Sequence, residues 1–412
     1  MKLKNTLVVI LLLFAHSFAK SQVIKILFDA TKSEMSGNAD WVIDASTYNI
    51  GCNTGPSIAG TGNESNPSRY PIPAQSGITT STLETYWTGG LSHWAIDCVN
   101  AGYQVETLPY NGLITFGNLS NIQDLSYYKI FIVCEPNIIF SSSEKTALLN
   151  FVQSGGSLFM ISDHASSDRN NDGIDSPQIW DDFFTNNGVV SNPFGISFDN
   201  LSFSNASTNV KSTPINPIIN GSAGNVTQVL WSSGTSITMD PIANSTVKGF
   251  VWKSTSLQGN QNVLVATALY GAGKVAAFGD SSPPDDGTGD NNDVLYDGYI
   301  TDAAGNHQKL LMNLTIWLAS SLTGLEDHNA TNGISMITNS TQHNLQITFS
   351  KALTAASTIN VYDITGRKLS SKIINVGEKE LNINTADFNN GIYLIQVLNN
   401  ELTLTKKIFL GK

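Results

Sequence analysis

Ser141-Ser142-Ser143-Glu144-Lys145-Thr146-Ala147-Leu148-Leu149-Asn150-Phe151-Val152-Gln153-Ser154-Gly155-Gly156-Ser157-Leu158-Phe159-Met160-Ile161-Ser162-Asp163-His164 is the stretch that decides the fold. Its serine-rich start and its Gly155-Gly156 stop bracket a helix over residues 141–153. The run Ser157–Ser162 is apolar without alternation and too short for a helix, so it reads as a strand buried on both faces. It ends abruptly in Asp163-His164. A helix feeding a doubly buried strand is half of a βαβ repeat.

The repeat extends in both directions. Val23–Phe28 reads as a buried strand ending at Asp29, Leu83–Ala101 as a helix turning Trp87, Trp94 and Val99 inward, and Gln104–Leu108 as a strand. Tyr128–Cys134 is another apolar run, stopped by Glu135-Pro136. An Asn- and Ser-rich region from Asn186 to Asn262 carries short alternating runs, Thr227–Trp231 and Lys248–Trp252, that suit an antiparallel extension of the sheet. The pattern resumes with strands Asn262–Ala268 and Lys274–Phe278 and a helix over His307–Leu322. From about Gly333 the period becomes two (Leu345–Phe349, Thr358–Tyr362, Ile392–Val397), with turns at Asp363–Gly366 and Asn389–Gly391. The expected fold is α/β, a doubly wound mostly parallel sheet with antiparallel additions, plus a small C-terminal all-β sandwich. The expected divisions are 1–21, 22–323, a linker at 324–332, and 333–412.

Residues 1–21 read as a secretory signal peptide: Lys2 and Lys4, the apolar block Leu7–Phe14, then small residues that fit cleavage after Ala19 or Ser21. That block is shorter than the roughly 20 residues a membrane span needs, and no later segment reads as one. The net charge is −11 although only 13% of residues are charged. Without a Lys/Arg patch interleaved with aromatics, such a surface repels phosphate backbones, so no nucleic-acid partner is expected. Of the three cysteines, Cys52 and Cys98 are the expected disulfide pair, with Cys134 buried at the end of its apolar run.

Two resemblances follow from longer motifs. The runs Ile359-Asn-Val-Tyr-Asp-Ile-Thr-Gly366-Arg367, Asn390-Gly391-Ile-Tyr-Leu-Ile-Gln-Val397 and Lys406-Lys407-Ile-Phe-Leu410 closely resemble the C-terminal sorting domain of type IX secretion cargo. This implies that the chain engages that machinery in a Bacteroidetes-type cell, is secreted or held at the cell surface, and often loses the domain afterwards. The α/β region from about Val23 to Leu322 resembles the class I glutamine amidotransferase-like fold, particularly its trehalose-utilisation-protein-like branch. The likeness rests on Phe151–Ile161, on Gly271-Ala-Gly273-Lys-Val-Ala-Ala-Phe-Gly279-Asp280, and on Trp317-Leu318-Ala319. Glutamine-hydrolysing members place a cysteine on a strand-to-helix elbow. Here there is no Gly-x-Cys-x-Gly and the comparable strand ends in Asp163-His164, so amidotransfer is not expected.

Ligands of open parallel sheets bind beyond the carboxyl ends of the strands. The residues there are Asp29, Glu135, Asp163, His164, Asp280 and Ser281, and His93 and Asp40 stand where they could complete a site. Crowded carboxylates cost energy unless protonated or metal-bound. The run Asp168-Arg169-Asn170-Asn171-Asp172-Gly173-Ile174-Asp175 offers alternate oxygens around a glycine turn, as a calcium loop does, and equally suits a plain Asx-rich turn. The resulting expectation is calcium in the loop, on Asp168, Asn170, Asp172 and Asp175, and a catalytic divalent ion held by some of Asp29, Asp163, His164 and Asp280. It would serve a hydrolase in which Asp163 and His164 or His93 move protons. The alternative is a non-catalytic carbohydrate-binding surface using Trp41, Trp87 and Trp94, with the ion only stiffening a loop. A Ser281–His164 hydrolase lacks the Gly-x-Ser-x-Gly elbow. His307, at the start of the last helix, suits capping or packing.

Overall fold

The computed structural model describes residues 23–320 and 334–410, apart from 33–34, 37–38, 45–73, 110, 212–215, 290–295, 340–343, 350–354, 364–365, 390 and 399–402. The expected signal peptide, Cys52 and the expected linker at 324–332 lie outside the described residues, as does the side chain of Asp40. The chain divides into two compact units, Met1–Ser320 and Ser321–Lys412.

In chain order the first unit contains β1 (Lys25–Asp29), β2 (Met35–Ser36), β3 (Ala39–Asp40), α1 (Ser92–Asn100), β4 (Gln104–Leu108), β5 (Ile130–Cys134), α2 (Ser142–Gln153), β6 (Ser157–Ile161) and α3 (Ser176–Thr185). Then come β7 (Ile196–Phe198), β8 (Phe203–Ser207), β9 (Asn220–Gly221), β10 (Gly224–Asn225), β11 (Val229–Gly234), β12 (Ile237–Met239), β13 (Lys248–Trp252), β14 (Val263–Tyr270), β15 (Gly273–Phe278) and α4 (His307–Ala319). The main sheet runs β4-β1-β5-β6-β15-β14-β12-β7, with β13 also on β14. Its first five strands are parallel, and β14, β12, β13 and β7 join by antiparallel pairing.

Alternation along the strands feeds two cores. Ile26, Phe28, Ile130 and Ile132 pack with Trp94 of α1 and Leu311 and Leu314 of α4. Leu27, Phe131 and Val133 pack on the opposite face with Leu148 of α2 and Trp180 and Phe183 of α3. Helices on both faces explain why these strands are apolar throughout, as expected for the doubly wound class. The middle region supplies β7, β12 and β13 to this sheet, whereas β8–β11 and β9–β10 form separate two-stranded ribbons.

Local chemistry sets the helix ends. Ser141 and Glu144 form a reciprocal capping box on α2. Gly155 takes φ +109°, and a Cβ on Gly156 would lie 2.2 Å from the Phe151 ring, so the chain turns here into β6 without side chains. The helix expected over 83–101 is instead a 3-10 turn at Glu84–Tyr86 followed by α1. The break falls at Gly89, where a Cβ would lie 2.4 Å from the Val42 carbonyl oxygen. The last helix stops at Ala319 rather than Leu322, where the buried ammonium of Lys274 binds the carbonyls of Trp317 (2.8 Å) and Ser320 (3.0 Å).

The second unit contains β16 (Ile334–Asn339), β17 (Asn344–Phe349), β18 (Ser357–Asp363), β19 (Lys368–Ile374), β20 (Glu380–Asn384), β21 (Gly391–Leu398) and β22 (Thr403–Leu410). Sheets β16-β17-β20 and β19-β18-β21-β22 are antiparallel. Leu345, Ile347, Phe349 and Ile383 from one meet Ile359, Val361, Ile374, Ile395 and Val397 from the other in a single core, which makes the unit a sandwich.

Candidate functional site

The order of strands reverses at β1, which lies between β4 and β5, so the carboxyl tips of β1 and β5 flank the switch point of the sheet. Glu135 follows β5 directly with φ +48°, left-handed backbone that is costly for a residue with a side chain and more so before Pro136.

Glu135 is fully buried. Its Oε2 accepts from Trp41 Nε1 at 2.7 Å and Ser281 Oγ at 2.8 Å, and its Oε1 from Arg169 Nε at 3.0 Å. The same guanidinium points Nη2 at Asp163 Oδ2, 3.4 Å away. His164 Nε2 stands 3.5 Å from that oxygen, while its Nδ1 lies 2.5 Å from the Ala165 carbonyl oxygen. Asp280, at the tip of β15, is fully buried and accepts from the amides of Ser232 (2.5 Å) and Ser282 (2.8 Å). Three neighbouring parallel strands thus deliver Glu135, Asp163 and Asp280 to one cluster with, among the described residues, a single guanidinium.

The electrostatics follow from that count. Burial, reinforced by the charges of Glu135 and Asp280, pushes the Asp163 carboxyl well above its usual range, with Arg169 opposing. Burial pushes Asp280 up to about 7 against the pull of the Ser282 and Ser232 amides, and Glu135 adds to the rise. At neutral pH the cluster retains protons that an exposed aspartate would have shed. His164 and Arg169 form its outer side, their side chains keeping 19% and 23% of their exposure, while Asp163 is buried beneath them.

The other expected ligands are placed differently. Asp29 turns back on its own loop, Oδ1 accepting from the Thr31 amide at 3.1 Å. His93 neighbours Glu84 (3.2 Å) and the Tyr299 ring, and its amide is bound by Asp286, so it stands in another constellation. Asp168 accepts from the amides of Asp172 and Gly173, Asp172 from that of Ile174, and Asn170 from that of Asp172. Asp175 binds the Ser166 amide and shares a capping box with Gln178 at the start of α3. The run is a stack of Asx turns whose oxygens face backbone N–H groups. Among the described residues no three His, Cys, Asp or Glu side chains are grouped to hold a metal ion. Between Glu135 and Asp163 the cation present is Arg169, and the donor set is filled by N–H and O–H groups.

The aromatic platform of the alternative reading is not at the surface. Trp41, Trp87 and Trp94 are at most 2% exposed, Trp94 packing edge-on against Phe28 and Phe159. Cys98, a buried residue of α1, carries a free thiol. In the loop after β15, Asp285 takes the amides of Gly287 and Tyr296, and Asp286 caps α1. His307 is held between the Gly298 carbonyl oxygen and the Leu230 amide, and burial lowers its pKa.

Sequence reading missed two members. Arg169 sat inside a run read for its oxygens, and Asn137 carried no signal. Buried Asn137 accepts from the Arg169 amide (3.0 Å) and donates to the Glu135 carbonyl oxygen (2.9 Å), fixing the loop on the β5 tip. Arg169 was visible only as one of three arginines in the chain.

Residues 339–410 match the family model of the secretion system C-terminal sorting domain. The C-terminal sandwich is a type IX secretion sorting domain, and the chain is cargo bound for the cell surface or extracellular space. No helix among the described residues is long and apolar enough to cross a membrane. No curated protein matches the chain. Among solved structures, "mmIFT52 N-terminal domain" is 14% identical, covering 73% of this chain and all of that one, with a TM-score of 0.40. A putative ThuA-like protein from Parabacteroides merdae is 12% identical over 73% of this chain and 91% of that one, TM-score 0.35. A DUF3244 family protein from Bacteroides vulgatus with an immunoglobulin-like β-sandwich is 18% identical over 20% of this chain and 88% of that one, TM-score 0.18. Likeness at this level says nothing of activity.

Proposed function

We propose that the first unit is an extracellular hydrolase working by acid–base chemistry at the sheet edge, with Asp163 as proton donor, His164 as its exposed partner and Arg169 as the resident positive charge. The observation that carries this is the cluster itself. Three buried carboxyl groups beside one guanidinium weaken the folded state, and a proton held near neutral pH is what a general acid requires. Glu135, fixed by Trp41 and Ser281, positions Arg169 against Asp163. Asp280 adds negative charge that keeps the Asp163 proton in place.

Arg169 supplies the positive charge between Glu135 and Asp163, so the proposed chemistry calls for no metal ion there. The test is a screen of the secreted protein against ester, amide and glycoside substrates, with and without chelator. Turnover that survives chelation and is lost in Arg169→Met supports the reading; turnover that needs a divalent ion, or is kept in Arg169→Met, removes it.

A further inference from the structure

The loop that leaves β15 brings a hydroxyl into the acid cluster, and the bonds around it fix where its proton points. Ser281 Oγ lies 2.8 Å from Glu135 Oε2, within the reach a general base needs of its nucleophile. The same oxygen accepts from Trp41 Nε1 at 2.7 Å, and Oε1 accepts from Arg169 Nε at 3.0 Å. Indole and guanidinium nitrogens only donate, so Glu135 meets its partners as an acceptor and the proton of the third bond belongs to the serine. A hydroxyl aimed at a carboxylate that two further groups hold in place is the arrangement of an activated nucleophile.

The backbone on both sides is fixed. Asp280 Oδ1 accepts from the Ser282 amide at 2.8 Å and its Oδ2 from the Ser232 amide at 2.5 Å, a turn that holds Ser281 between its two neighbours. A Cβ on Gly279 would lie 2.3 Å from the Thr235 carbonyl oxygen, so only glycine lets the chain leave β15 along this path. Opposite stands the left-handed backbone of Glu135, strain of a kind that clusters at reacting centres. His164 turns its Nδ1 to the Ala165 carbonyl oxygen and its Nε2 towards Asp163, so the partner of Ser281 is Glu135 and not the imidazole. Ser281 and Asp163 are equally buried, each 2% exposed, so an acyl group reaches them by entering past the partly exposed His164 and Arg169.

Resting on the acid–base reading above, we propose that Ser281 is the nucleophile, Glu135 its base, and the substrates carboxylic esters or amides. Ser281 Oγ bonds to the acyl carbon as its proton passes to Glu135 Oε2. The C–O or C–N bond to the leaving group then breaks, and that group departs with the Asp163 proton. Water adds to the acyl-serine ester and returns one proton to Asp163; the C–Oγ bond breaks, the carboxylic acid leaves, and Oγ recovers its proton from Glu135. Arg169 brings charge of the sign that the oxyanion of each addition needs.

The test treats the full secreted chain with an alkyl fluorophosphonate, which forms a P–O bond to an activated serine as fluoride leaves, and maps the adduct by mass spectrometry. In parallel, Ser281→Ala and Ser281→Cys are assayed on nitrophenyl esters of short fatty acids and on an acetanilide, with melting curves alongside. The adduct is expected on Ser281. Ser281→Ala should lose roughly a hundredfold or more of the turnover while remaining folded, and Ser281→Cys should keep part of it and become sensitive to iodoacetamide where the wild type is not. Ester turnover in Ser281→Ala within about threefold of the wild type, an active wild type labelled elsewhere or not at all, or hydrolysis of glycosides alone overturns the serine step. The acid cluster survives each of those results if the turnover is lost in Asp163→Asn, whereas a wild type inactive on every class removes both.

Discussion

Arg169 Nε donates to Glu135 Oε1 across 3.0 Å and 34 residues of sequence, tying the loop after β6 to the left-handed tip of β5. It is the guanidinium shared by Glu135 and Asp163. Removing one partner of a buried ion pair leaves the other charge uncompensated. Arg169→Met is therefore expected to destabilise the first unit by about 3 kcal/mol at pH 7. Arg169→Lys recovers only part, lacking the planar fork. Urea denaturation checks this, and a shift within error contradicts the bridge.

The acid cluster fixes the sign of the pH dependence. Asp163 and Asp280 titrate higher folded than unfolded, Asp280 at about 7, so the folded state holds more protons at intermediate pH. Stability is then fullest near the unfolded aspartate value of roughly 4 and falls as pH rises through 7. Asp286, at about 6, and Asp285 act in the same direction. Asp124 has the opposite sign. Against desolvation, hydrogen bonds from Ser126, Thr115 and Gly117 lower it to about 2, so its contribution is present above roughly 4 and lost as pH falls towards 2. Calorimetry from pH 3 to 8 should show a melting maximum on the acid side of neutrality; a maximum at pH 8 refutes this assignment.

Helix α1 has no cap from its own N-cap residue, Leu91. Asp286 Oδ2 supplies it, accepting from the His93 amide at 2.5 Å and Ser92 Oγ at 2.8 Å. Asp286→Ala should cost about 1–2 kcal/mol, the range for losing an N-cap. Hydrogen exchange localises the loss: the first-turn amides of α1 should exchange faster, and unaltered protection there argues against the cap.

Trp41 Nε1 is one of three donors on Glu135. Trp41→Phe deletes the donor and part of the buried ring, so about 1–3 kcal/mol should be lost through the carboxylate it leaves under-satisfied, in addition to the cavity cost. A double-mutant cycle with Glu135→Gln measures the coupling; strictly additive effects would show that the bond contributes nothing.

The doubly wound sheet was legible because strands covered on both faces must be apolar throughout: Ile130–Cys134 and Ser157–Ile161 have no alternation to confuse with anything else. The break at Gly89 was not, since its cause is the carbonyl oxygen of Val42, 47 positions away in sequence. At the site, strand tips could be listed from the sequence, which named Asp163, His164 and Asp280. What gathers them is tertiary: Arg169 and Asn137 act across loops, and no local pattern encodes that reach. Asp168, Asn170 and Asp172 show the converse, because the same spacing serves a cation loop or a run of Asx turns, and the partners alone decide.

The role proposed for the Asp163 proton is in chemistry, at a cost to stability. The measurement that reads it most directly is turnover of Asp163→Asn against the wild type, near pH 6.5, on the best substrate from the hydrolase screen, with melting temperatures taken alongside. The expected result is a loss of roughly a hundredfold or more with a melting temperature at pH 8 that is raised rather than lowered. Full turnover in Asp163→Asn, or a wild type inactive on every ester, amide and glycoside offered, contradicts the account.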